Sequence, residues 1–151
     1  MPKKHLKVFI DTNVWFSAFF GSPNSETLLN AHVDKNIEVV ASQEVIRELI
    51  RNIKNKFPSA FRSVQDFFKS TPPIIIKDPI KTSPQVESLV HIKDRLIFQS
   101  ALDAKINKFD SGELKIFVTG NTKHFDSNEI KKQLKIQILT PKQAVDKLGL
   151  K

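Results

Sequence analysis

Lys7-Val8-Phe9-Ile10-Asp11-Thr12-Asn13 is the stretch on which the reading of this chain turns. Val8, Phe9 and Ile10 form a continuous apolar run of β-branched and aromatic residues, the pattern of a strand buried on both faces. The run stops abruptly at an acid, Asp11, with two further polar residues behind it. A short apolar turn is expected next, ending at the chain break Gly21-Ser22-Pro23-Asn24.

Working outward, strand-like and helix-like segments alternate. Residues 25–34 read as a helix and 37–41 as a second strand. Ser42 is placed to cap a helix whose apolar residues are Val45, Ile46, Leu49, Ile50, Ile53 and Phe57. Pro58 resets the chain, and residues 60–69 predict another helix. Thr71-Pro72-Pro73 precedes a third strand at 74–76. Residues 78–93 predict a loop with a short helix over 84–91. Asp94 can cap a helix running to about Lys108, and a loop with Gly112 leads to a fourth strand at 115–119. A polar helix near 127–135, a strand at 136–139 and a helix over 141–148 close the pattern, Pro141 standing where its missing N–H costs nothing. Such alternation implies right-handed crossovers and a parallel sheet covered on both faces. The predicted fold is α/β: a three-layer α/β/α sandwich with a central, mainly parallel sheet of about five strands, in a single domain over residues 1–151.

Composition narrows the chemistry. With no cysteine, disulfides, thiolate nucleophiles, zinc fingers and iron–sulfur clusters are excluded. Lys+Arg 24 against Asp+Glu 16 gives a net charge of +8, which suits a polyanion, an anionic membrane surface or simple solubility. The first six residues are too short and polar for a signal peptide, and Val14 to Phe20 falls far below the roughly 20 apolar residues of a membrane span. A cytoplasmic protein without a membrane association is expected. Four glycines leave no phosphate-binding glycine loop, and there is no nucleophile elbow.

Ligands of open parallel sheets gather outside the carboxyl ends of the strands. Asp11 ends the first predicted strand, and Thr119-Gly120-Asn121 follows the fourth. Glu44, Glu48 and Asp94 lie near helix starts. Each residue has an ordinary structural role open to it. Asp11 suits an Asx-turn or a helix cap, Asp94 an N-cap, Glu44 the positive end of its helix, and Asn121 a turn. Glu48, more than a turn into its helix, has no such role beyond that of a surface acid.

Read together, these pieces resemble the PIN-domain family, in the branch described as toxin components of toxin–antitoxin pairs. The resemblance rests on Val8-Phe9-Ile10-Asp11-Thr12-Asn13-Val14, Ser42-Gln43-Glu44-Val45-Ile46-Arg47-Glu48-Leu49, Lys93-Asp94-Arg95 with Ala101, Phe117-Val118-Thr119-Gly120-Asn121, and Ile138-Leu139-Thr140-Pro141. It implies an acidic site for a divalent metal and cleavage of single-stranded RNA. Asp11, Glu48 and Asp94 would be the three carboxylates, and Asn121 would stand where many members carry a fourth acid. A homodimer and a small antitoxin protein are implied as partners.

The physical reason for such a cluster is repulsion. Two carboxylates about 4 Å apart repel by roughly 4 kcal/mol at an effective dielectric near 20. Three without a cation force protonation or distortion. An all-oxygen set without Cys or His suits Mg²⁺ or Mn²⁺, with one ion held by the protein. Thr12, Asn13 and Thr119 read as groups that orient the carboxylates, although Asn13 is expected mainly to bond its own backbone. Lys123 and Arg95 flank the site and are read as solvated charges, and Trp15 and Phe16 as rim or subunit-contact residues. Phe9, Phe98 and Phe117 belong to the core. His5, His32, His91 and His124 lie at least 27 residues apart and are expected at the surface.

Two rival readings remain. One is a non-catalytic RNA-binding or protein-interaction module with a weakened metal site, whose RNA binding ignores chelator but falls with salt. The other is a receiver-like domain using Asp11 as a nucleophile, against which the missing Asp-x-Asp pair counts.

Overall fold

Val8, Phe9 and Ile10 are fully buried in the middle strand of a five-stranded, all-parallel sheet. The computed structural model describes residues 6–104 and 115–150. In chain order the elements are β1 (Leu6–Ile10), α1 (Thr12–Phe19), α2 (Pro23–Val33), β2 (Ile37–Ser42), α3 (Gln43–Lys56), α4 (Phe61–Ser70), β3 (Ile74–Ile76), α5 (Pro84–Leu89), α6 (Arg95–Asp103), β4 (Lys115–Val118), α7 (Ser127–Leu134), β5 (Ile136–Leu139) and α8 (Pro141–Leu148). Short 3₁₀ turns precede α4 and α6 and follow β4. The expected helix end near Lys108, the loop around Gly112, and His5 lie outside the described residues.

Strand order is β3-β2-β1-β4-β5. The chain moves outward from β1 through β2 to β3, then returns across the sheet through α5 and α6 to β4 on the other side of β1. Right-handed crossovers in opposite directions place the intervening helices on opposite faces, which gives the layered α/β architecture expected of the sequence. Phe9 and Phe117 are register partners of β1 and β4, stacked at 5.1 Å, and Phe98 of α6 packs on Phe117 at 5.4 Å. The helix starts follow local chemistry. Ser42 accepts from the Val45 amide at the head of α3, and Thr140 and Gln143 form a capping box at α8, with Pro141 at its first turn.

Three expectations need correction. Residues 12–19 are a helix, not an apolar turn. Asn, Trp, Phe and Ser are indifferent helix formers, but Asp11 caps the segment and Thr12, Val14, Trp15 and Ala18 are buried, so tertiary packing overrides propensity. Trp15 is consequently not a rim residue. It is fully buried, with its ring 5.4 Å from Phe68 and 6.3 Å from Phe19. His32 is not at the surface either: its Nδ1 accepts from the Val39 amide at 3.1 Å, which leaves Nε2 to donate to the Pro72 carbonyl at 3.1 Å. That ring ties β2 to the approach to β3.

Candidate metal centre

Strand order reverses beside β1, and the crevice at the carboxyl ends of β1 and β4 is where such sheets bind ligands. Asp11 is the first residue past β1 and Thr119 the first past β4. The Asp11 amide donates to the Val118 carbonyl at 2.9 Å, so the pairing of β1 with β4 continues one step and sets the two residues side by side. Asp11 is 3% exposed. Its Oδ1 accepts from the Thr12 backbone amide at 2.8 Å and its Oδ2 from the Thr119 hydroxyl at 2.9 Å, with the Asn13 side-chain Nδ2 at a longer 3.4 Å. The cap and the crevice position are therefore both real.

Glu48 comes from the second turn of α3 and is half-buried; the Thr12 hydroxyl donates to its Oε1 at 3.0 Å. One threonine thus holds two acids, Asp11 through its backbone and Glu48 through its side chain. Asp94 lies in the 3₁₀ turn before α6 and makes no side-chain cap there. Its carboxylate instead meets His124 Nδ1 at 2.6 Å.

The three acids lie near enough for their charges to act on one another. Burial pushes the Asp11 carboxyl up to about 6, with the Thr119 and Thr12 hydrogen bonds opposing the rise and the charges of Asp94 and Glu48 adding to it. Glu48 is also raised, again chiefly by burial, with Thr12 and Arg51 opposing and Glu44 and Asp94 adding. Among the described residues, the groups that bond Asp11 are neutral side-chain and backbone donors, and the fold brings it among like charges. A hard divalent cation is what this donor set fits.

Asn121 is exposed, and it joins the cluster through its backbone: its amide donates to Thr119 Oγ1 at 3.1 Å. Asn13 does not bond its own backbone as expected. Its Oδ1 accepts from the Gly120 amide at 2.8 Å, linking the loop after β4 to α1. A Cβ at position 120 would meet that oxygen at 3.2 Å, so glycine keeps the approach close. Replacing Thr119 with valine keeps the shape but removes both the donor to Asp11 and the acceptor for Asn121. Mn²⁺ affinity is expected to fall about 10–100-fold by calorimetry, with the Asp11 carboxyl rising still further.

Glu44 is turned to Arg47, at 3.0 Å, and Arg47 also pairs with Asp78. Arg95 is not a free charge, since its guanidinium donates to the Val90 and Glu87 carbonyls at 2.9 and 2.8 Å. Near the ends of α1 and α3, Phe16 lies 4.7 Å from Phe20 and 6.0 Å from the exposed Phe57, tilted 40° to each, while Phe20 and Phe57 stack at 4.4 Å and Lys56 sits over the Phe16 ring. The residues that spacing missed are His91 and His124. Distant in sequence, they stack at 4.6 Å because the His91 amide donates to the His124 carbonyl at 2.7 Å beside a Val90–Phe125 bridge.

An open parallel sheet with Asp11 at its switch point, and Glu48 tied to the same threonine, defines the class: an α/β protein with acidic side chains beside the crevice of its sheet. A family model of the PIN domain matches residues 8–113, more than two-thirds of the chain. The chain belongs to the PIN-domain family, whose members are generally nucleases and typically use a divalent metal. The match takes in Asp11, Glu48 and Asp94 and ends before β4, so Asn121 lies outside it. No curated protein matches the sequence. Among the described residues, no helix is long and apolar enough to cross a membrane.

Proposed function

We propose that this protein is an endoribonuclease that cleaves single-stranded RNA with Mg²⁺ or Mn²⁺, and that it is the toxin of a toxin–antitoxin pair. In this reading the whole chain is one domain, acting in the cytoplasm as a homodimer and restrained by a small antitoxin protein. The observation that supports the proposal is the tie of Asp11 and Glu48 to Thr12 at the sheet's switch point, near enough to Asp94 for like charges to act on one another, with the hydrogen bonds to Asp11 coming from neutral donors.

Asp11, Glu48 and Asp94 would hold the ion, and Asn121 would offer its amide oxygen at the rim. A bound divalent ion supplies a water of lowered pKa and neutralises charge on the phosphate. The chain's own work is placement. Thr119 and Thr12 fix the carboxylate oxygens of Asp11 and Glu48, and the hydrogen bond from the Gly120 amide to the Asn13 side chain keeps the two sides of the crevice in register. The net charge of +8 draws a polyanion toward an acidic centre that would otherwise repel it. Phe16, Phe20 and Phe57 with Lys56 offer unpaired bases a stacking surface, which favours a single strand over a duplex.

The absence of a fourth acid at Asn121 favours a second reading, a non-catalytic RNA-binding module. A chelator separates the two. Incubation of single-stranded RNA, duplex RNA and single-stranded DNA with Mn²⁺ is expected to give cleavage of the first alone, stopped by EDTA. RNA binding that persists unchanged in EDTA with no cleavage in any metal supports the module instead.

The pH dependence follows from Asp11. Metal binding needs its ionised form, whose proton is held up to about pH 6 in the metal-free protein. Below that value the apparent Mn²⁺ affinity is expected to fall about tenfold per pH unit, and calorimetry should show close to one proton released on binding at pH 5 and little at pH 7.

A further inference from the structure

We propose that His91, Asp94 and His124 form a second cation site, which takes a borderline transition metal such as Zn²⁺ and competes with the carboxylate cluster for Asp94. One ligand atom from each residue lies within 4.8 Å of the other two. The donor set is two imidazoles and one carboxylate, a combination suited to zinc and unlike the all-oxygen set that suits Mg²⁺.

The backbones of the three residues are locked to one another. The His91 amide donates to the His124 carbonyl at 2.7 Å, the Asp94 amide to the His91 carbonyl at 2.9 Å, and the His124 amide to the Asn121 carbonyl at 2.9 Å. What remains adjustable is the side chains. Zinc binds nitrogen at about 2.0–2.1 Å, which asks the donors to close to roughly 3.4 Å in a tetrahedral site. His91 is exposed, and that movement gives up a 3.2 Å contact from the Lys93 amide and shifts its ring on His124. His124 and Asp94 already meet at 2.6 Å, and a cation takes the place of that hydrogen bond. Entry is open, through a cleft of about 400 Å³ bordered by His91 and His124.

Asp94 belongs to both donor sets. Its charge acts on Asp11 and Glu48, so zinc drawing it toward the histidines weakens the neighbouring site. The inhibitory consequence rests on the nuclease reading, whereas the binding does not.

Zinc titration by calorimetry of the parent, His91→Ala, His124→Ala and Asp11→Asn proteins tests the site. One equivalent is expected to bind the parent and Asp11→Asn alike, with at least about tenfold weaker binding in each histidine variant. Undiminished binding by His91→Ala overturns the proposal. So does loss of binding in Asp11→Asn, which puts the ion in the carboxylate cluster. In Mg²⁺-supported cleavage, zinc is expected to inhibit the parent at about tenfold lower concentration than it inhibits His91→Ala. Equal inhibition of both overturns the competition for Asp94. Zinc binding as described in a protein that cleaves no RNA under any condition leaves the site standing and refutes the nuclease reading.

Discussion

Replacing Asp11 with asparagine is expected to raise the melting temperature of the metal-free protein at neutral pH by about 3–6 °C, and to remove its stabilisation by Mg²⁺. The argument is one of linkage. Asp11 titrates near 3.8 when exposed and at about 6 in the folded chain, so ionising it in place works against folding. The full difference corresponds to roughly 3 kcal/mol. Asparagine keeps some of the cost of burying a polar group, and a gain of about 1–2 kcal/mol fits the temperature range given for a chain of this size. The sign depends on pH. Below 3.8 Asp11 is protonated in folded and unfolded chains alike and the advantage vanishes. It opens between 3.8 and about 6, where the folded state alone holds the proton, and is complete above 6. Mg²⁺ reverses the order, since an ion at a hundredfold excess over its dissociation constant stabilises the parent by about 2.7 kcal/mol. Scanning calorimetry at pH 4 and 7.5, with and without Mg²⁺, measures all four cases. A variant that melts lower at pH 7.5 without metal would show that the ionised Asp11 carboxylate supports the fold as a helix cap.

Trp15→Ala is expected to cost about 3–5 kcal/mol, among the largest effects of any single truncation. The ring is fully buried between α1 and α4, in contact with Phe19, Phe67 and Phe68. Against a total stability of 5–15 kcal/mol typical of proteins, this is a large fraction, visible as a drop in the urea midpoint. Trp15→Phe should cost far less, because the aromatic packing is largely kept and Nε1 has no hydrogen-bond partner to lose. A cost for Trp15→Ala below about 1 kcal/mol would return Trp15 to the rim, where its sequence neighbourhood suggested it belonged.

That misplacement shows what local pattern carries and what it does not. β1, β4 and β5 were legible because an apolar run bounded by polar residues needs only its own side chains to declare itself buried. α3 was legible for the same reason, since its stripe of Val45, Leu49 and Ile53 has helical spacing and Ser42 supplies the cap. α1 was not, because Thr-Asn-Val-Trp-Phe-Ser carries no helix propensity and becomes helical through contacts with α2 and α3. The candidate site divides in the same way. Asp11 could be placed from the end of its strand alone. Glu48 and Asp94 stood out only through a family resemblance, because their nearness to Asp11 depends on crossovers that no short window reveals. Asp94 shows the limit most clearly: the residue type and position predicted a cap, yet its carboxylate is turned to His124, 30 residues away. His91 and His124 left no signal at all, their meeting being a product of loop pairing beside α6 and β4.

The direct test is cleavage of a single-stranded RNA with and without Mn²⁺ by the parent, Asp11→Asn and Asp94→Asn proteins, each shown by circular dichroism to be folded. Cleavage by the parent only in the presence of Mn²⁺, reduced about a thousandfold in both variants, is the predicted result. Equal cleavage by parent and variants, or cleavage by the parent that ignores the metal, would contradict the assignment of Asp11 and Asp94 to a metal-dependent catalytic site.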